Sequence, residues 1–384
     1  MNNPVYINSI STISPLGEDS REIWNSYRSP QHHITKANFN GKEEFAAFLP
    51  ERLKEKIENL RQETELKNVD KTVLLAVYAS RKLSREAGWR KNENIGINIG
   101  SSRGATGLFE KYHSSFLQTG KAEVLASPGT TLGNISSWVA QDMQSNGPEI
   151  SHSVTCSTGL HAILNAVAWL QAGMAEKFLV GGSEAALTPF TIAQMKAMKI
   201  YATEDADYPC RALDLDKTRN TMILGEAAGV LGLEKDPNSP LARIAGVGYA
   251  TEKLKHAVSL SANAECLQRS MQMAVGNHKL SDIDAIVMHA PGTIKGDRAE
   301  FNAIKTLFGK QIPALTSNKW KIGHSFGASG ILSLELTVLM MQHQEFIGIP
   351  FVNEFNQPKK LEKVLVNAVG FGGNAVSILL CRET

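Results

Sequence analysis

The sequence predicts a mixed α/β fold with mainly parallel sheets, and three observations carry that prediction. Short β-branched runs alternate with longer apolar stretches at helical spacing along the 384 residues. Both halves end strands at chemically reactive side chains, which suggests an internal duplication although the halves share little literal sequence. The hydrophobic fraction, 42% against 20% charged, is ample for a large core, either one large α/β unit or two similar halves.

The elements follow in order. PVYINS, residues 4–9, reads as an opening strand. Residues 28–70 are polar and charged and read as a surface insertion. KTVLLAVYASRKLSREA, 71–87, has apolar residues at helical spacing, and NIGINIGSS, 94–102, alternates as a strand does. ISHSVT predicts a strand, followed by a helix over 157–172. KFLVGGSEAA, 177–186, reads as strand then turn. Residues 186–225 show little regular pattern and read as loops near a site. Strands are expected over 229–235 and 241–250. In the second half a helix near 262–276 precedes DIDAIVMHA, a strand with a histidine at its end. A helix follows over 297–308, then a long apolar helix within 320–344. VLVNAVGFGGNAVSILL reads as two strands joined by a glycine turn.

Composition narrows the function. The net charge is +2 and no long basic run occurs, so nucleic acid is not expected as the main ligand. No apolar run reaches membrane-spanning length, and the N-terminus lacks a basic region followed by an apolar stretch. The four cysteines, at 156, 210, 266 and 381, form no CxxC pair. Free thiols and a cytoplasmic location are expected.

VTCSTGLHAILNAVAWLQAG puts Cys156 where a strand turns into a helix. There its sulfur would meet unpaired N–H groups and the positive end of the helix dipole, which favour a thiolate without a dedicated base. A buried packing cysteine is the competing reading. His152 and His161 lie nearby, but no second cluster completes a zinc set, so no metal is expected. In the second half His289 follows a strand directly. His324 stands among glycines, five residues after Lys319. Two histidines in Gly-rich loops, a lysine and a helix-start cysteine together suggest one reaction centre.

These segments, in this order, resemble the β-ketoacyl-acyl carrier protein synthase family of the thiolase superfamily. Thr155-Cys156-Ser157-Thr158-Gly159 resembles the family's nucleophile stretch. His289-Ala290-Pro291-Gly292-Thr293, with Gly296-Asp297 and Glu300, resembles its first histidine motif. Ser317-Asn318-Lys319, Gly323-His324 and Gly327-Ala328-Ser329-Gly330 resemble its lysine and second histidine motifs. Gly225-Glu226-Ala227-Ala228-Gly229 and Gly370-Phe371-Gly372-Gly373 complete the set.

The resemblance implies a five-layered α/β/α/β/α thiolase fold of two related halves, divided here as 1–240 with Cys156 and 241–384 with His289, Lys319 and His324. It implies decarboxylative condensation of a Cys156-bound acyl chain with malonyl-carrier, in fatty-acid or polyene/polyketide-type elongation. His289 and His324 would stabilise the enolate, and Lys319 would support the charge pattern electrostatically. Backbone N–H groups of Cys156 and Phe371 would bind the oxyanion. Phe371 resembles the family's gate, and Thr293, Phe371 and Gly372 would surround the phosphopantetheine arm. No free cofactor is implied, because the substrate rides on acyl carrier protein. A homodimer, or a heterodimer with a ketosynthase-like paralogue, is expected. Arg211, Lys217 and Arg219 are loop candidates for receiving the acidic carrier, and Met195, Met198 and Phe109 for lining an acyl tunnel.

The chain also departs from the family pattern. Ala290 and Pro291 replace a glycine and a threonine, and Pro291 removes an N–H. Asn374 and Ala375 stand where threonine and asparagine are usual. Ser333 stands fourteen residues after the lysine, where many fatty-acid members carry glutamate. The competing functional class is a non-catalytic chain-length partner. Such partners share the fold but usually lack the cysteine, which is present here.

Overall fold

The computed structural model describes residues 4–132, 134–254, 260–353, 355 and 357–383. Ten strands form one continuous sheet with a repeated plan. The first half contributes β1 (Val5–Ile13), β4 (Ile95–Gly100), β5 (Glu149–Ile150), β6 (Lys177–Glu184) and β7 (Ala227–Glu234). The second contributes β8 (Ala242–Thr251), β9 (Ala285–Val287), β10 (Ala314–Thr316), β11 (Lys363–Gly370) and β12 (Asn374–Cys381). The spatial order is β10-β9-β11-β12-β8-β1-β7-β6-β4-β5. Within each half the order is third, second, fourth, fifth, first. In both, the first pairs antiparallel with the fifth and the fifth antiparallel with the fourth. The fourth, second and third are parallel. The halves join where Val5–Ile7 pairs with Ala242–Ile244. The duplication that the sequence only hinted at is thus plain in strand order and direction.

Helices complete five layers. In each half one helix links the third strand to the fourth: Thr158–Gln171 in the first, Ser329–His343 in the second. Both pack in the core that the two halves share, together with strand residues such as Val180, Leu231, Val366 and Ile378. Ser329 through Met341 are all buried. A helix buried on every side over this stretch must be covered on every side, and it lies between the two half-sheets. Helices Lys71–Glu86 and Asn134–Met143 cover the outer face of the first half, and Glu265–Val275 and Ile294–Phe308 that of the second. Among the described residues, no helix is long and apolar enough to cross a membrane.

Four expectations need correction. The sheet is mixed, not mainly parallel: the fifth strand of each half runs antiparallel to both neighbours and the two first strands pair antiparallel, so five of the nine pairings are antiparallel and four parallel. ISHSVT does not continue as a strand. β5 stops at Ile150, because Thr155 takes a left-handed backbone (φ 49°) and Val154 N–H donates to Thr158 Oγ1 at 2.9 Å instead of to a neighbouring strand. Residues 28–70 are more than a surface insertion. They hold a hairpin, β2 (Thr35–Phe39) with β3 (Lys42–Ala46), and a helix, Glu51–Leu60, that buries Leu53, Ile57 and Leu60. Ala47 then locks onto the site scaffold: its N–H donates to Leu224 O, and its carbonyl accepts from Glu226 N. Within 186–225 a helix runs over Pro189–Ala197. Its start carries a readable signal, Thr188 as N-cap accepting from Thr191 N–H and Pro189 at the first position.

Candidate active site

Cys156 sits in the turn before the helix that begins at Thr158, and it is buried. The left-handed Thr155 reverses the chain so that the next residue faces the pocket. A β-branched residue pays steric strain in that conformation, so the surrounding packing must hold it. His289 follows β9. The Glu300 carboxylate accepts from the backbone N–H groups of His289 (3.0 Å) and Ala290 (2.9 Å), and from Asn367 Nδ2 (3.1 Å). His324 is set by its backbone: its N–H donates to Ile223 O at 2.7 Å and its carbonyl accepts from Gly225 N. Gly323 before it has φ 68°, and a Cβ there would fall within 3 Å of Leu224 backbone atoms, so glycine is required.

These elements come from three distant segments, yet they converge. Cys156 Sγ and one ring nitrogen each of His289 and His324 all lie within 4.8 Å of one another. The two imidazoles are edge to face, with centroids 5.0 Å apart. A pocket of about 380 Å³ opens over them. It is lined also by Thr293, Phe371, Met198, Met222 and Phe326, with Lys199, Asn220 and Lys295. Lys319 is buried behind the pair. Its Nζ donates to Asn318 Oδ1 (3.1 Å) and Ser333 Oγ (3.2 Å), both neutral.

The electrostatics follow from burial. Desolvation, then the neighbouring His324 and the Lys319 charge, holds His289 well below the usual imidazole range. Desolvation and Lys319 push His324 down to about 3. Both rings are therefore neutral at physiological pH, and a neutral imidazole can donate an N–H without releasing charge. Lys319 itself is lowered to about 8 by burial, which the Glu300 charge partly opposes. Cys156 corrects the expectation of a ready thiolate. Burial and the charge of Glu184 push its thiol up to about 12, against the pull of Lys319. The helix end does not outweigh desolvation, so the Cys156 sulfur rests as a protonated thiol.

Other residues singled out in the sequence have plainer places. Thr293 lines the pocket and also caps helix Ile294–Phe308 by accepting from Gly296 N–H. Gly372 is exposed, with φ 94°, and supplies the turn beside Phe371. Met198 lines the pocket and Met195 packs in the cluster around Cys156, whereas Phe109 is exposed and stacked on His113. Lys217 is buried in an ion pair with Asp297 (2.7 Å), so it is not a carrier-facing charge. Arg211 pairs with Asp214 and lies over the Phe351 ring, and Arg219 pairs with Glu204. His152 engages Asn98 through Nδ1 and Thr158 O through Nε2, and His161 Nδ1 engages Ser157 O. Among the described residues, one grouping has the spacing for a metal ion: Cys156, His289 and His324.

Sequence reasoning missed the work of two carboxylates. Glu300 was visible only as part of a motif, and its grip on the His289 backbone needs the fold. Glu184 ends β6 and accepts from Ser101 Oγ and the N–H groups of Ser102, Arg103 and Gly327. It therefore pins the His324 loop to the first half, and nothing in its flanking sequence signals that.

Comparison with known proteins gives the family and the fold. Residues 2–238 match the β-ketoacyl synthase N-terminal domain and residues 241–350 its C-terminal domain. The 3-oxoacyl-[acyl-carrier-protein] synthase 2 of Staphylococcus aureus (strain COL) is 27% identical over 412 residues, covering 98% of each chain. The protein of the same name from Coxiella burnetii is 26% identical with the same coverage. Among solved structures, a β-ketoacyl synthase from Burkholderia phymatum superposes with a TM-score of 0.85 at 21% identity, covering all of both chains. The ishigamide ketosynthase/chain length factor gives 0.87 at 20%, also over all of both. With a matching N-terminal domain that spans most of its first half and a matching C-terminal domain after it, the chain belongs to the β-ketoacyl synthase family.

Proposed function

We propose that the protein is a 3-oxoacyl-acyl carrier protein synthase of the elongating type. The observation that carries this reading is the convergence of Cys156, His289 and His324 at the base of one pocket. The Cys156 thiol attacks the thioester of an acyl-carrier; the carrier thiol leaves with the proton, and the acyl group stays on Sγ. Malonyl-carrier then enters and loses carbon dioxide. The electron pair of the broken C–C bond becomes an enolate, whose oxygen takes N–H bonds from His289 and His324. Removing one such preorganised donor typically costs about 10²–10³ in rate. The enolate carbon attacks the acyl-Cys156 carbonyl, and the resulting oxyanion is held by the N–H groups of Cys156 and Phe371. Its collapse releases β-ketoacyl-carrier and returns the sulfur, which is reprotonated. Lys319 acts as a buried charge beside His324, and Thr293, Phe371 and Gly372 border the path of the phosphopantetheine arm.

The work of the triad is done by a free sulfur and two neutral donors, so we assign it no metal, and no cofactor beyond the carrier-bound arm. The partners are acyl carrier protein and a second ketosynthase fold, either another copy or a paralogue, in the cytoplasm. Relatives at this level include a type II polyketide acyl-carrier protein in complex with its ketosynthase and a ketosynthase in complex with its chain length factor. A silent chain-length role does not need a cysteine and two donor histidines brought together.

The test is intact-protein mass after mixing with acyl carrier proteins loaded with different chains. Wild type should gain acyl mass and Cys156→Ala should not. Malonyl-carrier added next should remove that mass as β-ketoacyl-carrier. No acylation by any chain, alone or with a co-expressed paralogue, would overturn the synthase reading in favour of the silent partner.

A further inference from the structure

We propose that Asn374 is a positioning residue that, with Ser157, latches the Phe371 turn against the nucleophile turn and so sets access to Cys156. Phe371 lies at the tip of the β11–β12 turn, followed by Gly372 (φ 94°) and Gly373 (φ 71°). Its side chain lines the pocket with Cys156. Two glycines in the left-handed region leave such a turn free to move unless something ties it. Asn374 ties it twice. Its Nδ2 donates to Phe371 O at 2.9 Å, and its Oδ1 accepts from Ser157 Oγ, in the residue directly after the nucleophile. The orientation of the amide is not arbitrary. A carbonyl oxygen only accepts, so the NH₂ group must face Phe371 O, which leaves Oδ1 for the serine hydroxyl.

The tie is built to release. Ser157 Oγ also lies 2.8 Å from Val154 O, and it has one proton for two acceptors. Phe371 O has a second donor in Thr155 Oγ1, at 3.3 Å. When Asn374 lets go, Ser157 turns to Val154 and is not stranded, while Thr155 Oγ1 remains a weaker second tie on Phe371 O, so releasing the amide costs about one net hydrogen bond. In the latched state the fit is close: a Cβ on Gly370 would overlap Thr155 Oγ1 and come within 3.0 Å of Cys156 N. An amide suits this post because its donor and acceptor sit on separate atoms and bridge two fixed partners. The use of this latch to separate acyl loading from malonyl entry rests on the condensing reading above; the latch itself does not.

The experiment measures alkylation of Cys156 by iodoacetamide, read by peptide mass, over a range of pH. Its proteins are wild type, Asn374→Ala, Ser157→Ala, the double variant, Phe371→Ala, and Phe371→Ala with Asn374→Ala. Each latch variant is expected to react roughly three- to tenfold faster than wild type, the factor for one net hydrogen bond. The double variant should be no faster than either single, because both break one latch. Asn374→Ala should add nothing once Phe371 is gone. Apparent thiol pKa should stay put while the rate rises. Equal rates, effects that multiply, or a rise explained by a shifted pKa would overturn the latch. Ser157→Ala removes one oxygen only and keeps the test valid if Asn374→Ala unfolds. Because the probe needs no carrier protein, a failed latch is distinguishable from a failed synthase reading.

Discussion

At the scale of single residues, the site is a set of groups whose charge is decided by burial. Lys319 is the clearest case. Among the described residues its Nζ hydrogen-bonds to neutral oxygens, Asn318 Oδ1 and Ser333 Oγ, and burial lowers it to about 8. It carries its proton below that pH and loses it above. If its charge supports the enolate at His324, condensation should fall as pH rises through about 8. Ser333→Glu would place a carboxylate on Lys319, which raises an amine by roughly 1–3 pH units. The alkaline limb of the pH–rate profile should move up accordingly, and an unmoved limb would assign it to another group. The residue types of the site were legible in the sequence, because cysteine, two histidines and a lysine beside glycines are rare in combination. Their protonation was not. The expected thiolate becomes a thiol raised to about 12, since the desolvation that decides it comes from segments far away in the chain.

At the scale of elements, loops are held by buried polar side chains more than by their own sequence. Lys321 is the sharpest example. Its Nζ donates to the carbonyls of Ser26 (2.7 Å), Ser29 (2.6 Å) and Gln31 (2.5 Å), and its own carbonyl accepts from His33 N. It ties the end of helix Ser20–Arg28 to the loop that carries His324. Lys321→Met should strand those carbonyls and cost roughly 2–4 kcal/mol, beyond a single charged hydrogen bond. The urea midpoint measures it, and a change under about 0.5 kcal/mol, the size of an ordinary surface substitution, would refute the role. The polar composition of residues 28–70 reads as a surface insertion because solvated charges dominate it. The anchoring contacts of this segment, Ala47 on Leu224 and Tyr201 hydroxyl on Phe45 O, are long-range and leave no local pattern. The helix over Pro189–Ala197 was missed for a related reason. It has no single apolar stripe, and only its Thr-Pro start announces it.

At the scale of the whole molecule, two half-sheets of identical plan share one core, and that core contains carboxyls. Glu335, on the central helix, accepts from Thr12 Oγ1, has a second oxygen without a partner among the described residues, and is raised by burial to about 7. Between roughly pH 4.5 and 7 the folded protein holds a proton that the unfolded chain has released. Stability therefore falls as pH rises through that window, by up to roughly 3 kcal/mol for a group shifted this far. Glu184, also raised to about 7, adds a second contribution of the same sign. Glu335→Gln should remove one of the two. Urea unfolding at pH 5 and pH 7.5 should show a smaller loss of stability in the variant, and an equal loss would clear Glu335 of the effect.

By itself the sequence determined the alternation of strands and helices and the positions of most elements, and it singled out the candidate side chains of the site. Those follow from local periodicity, turn residues and motif spacing, which act over a few residues at a time. Only the tertiary structure decided that the two halves repeat one strand order, that Cys156, His289 and His324 meet within 4.8 Å, and that burial keeps all three uncharged. It also decided that Asn374 reaches Ser157, 217 positions away. Convergence and desolvation depend on what packs against each group, and that is settled by long-range burial, not by neighbours in the chain.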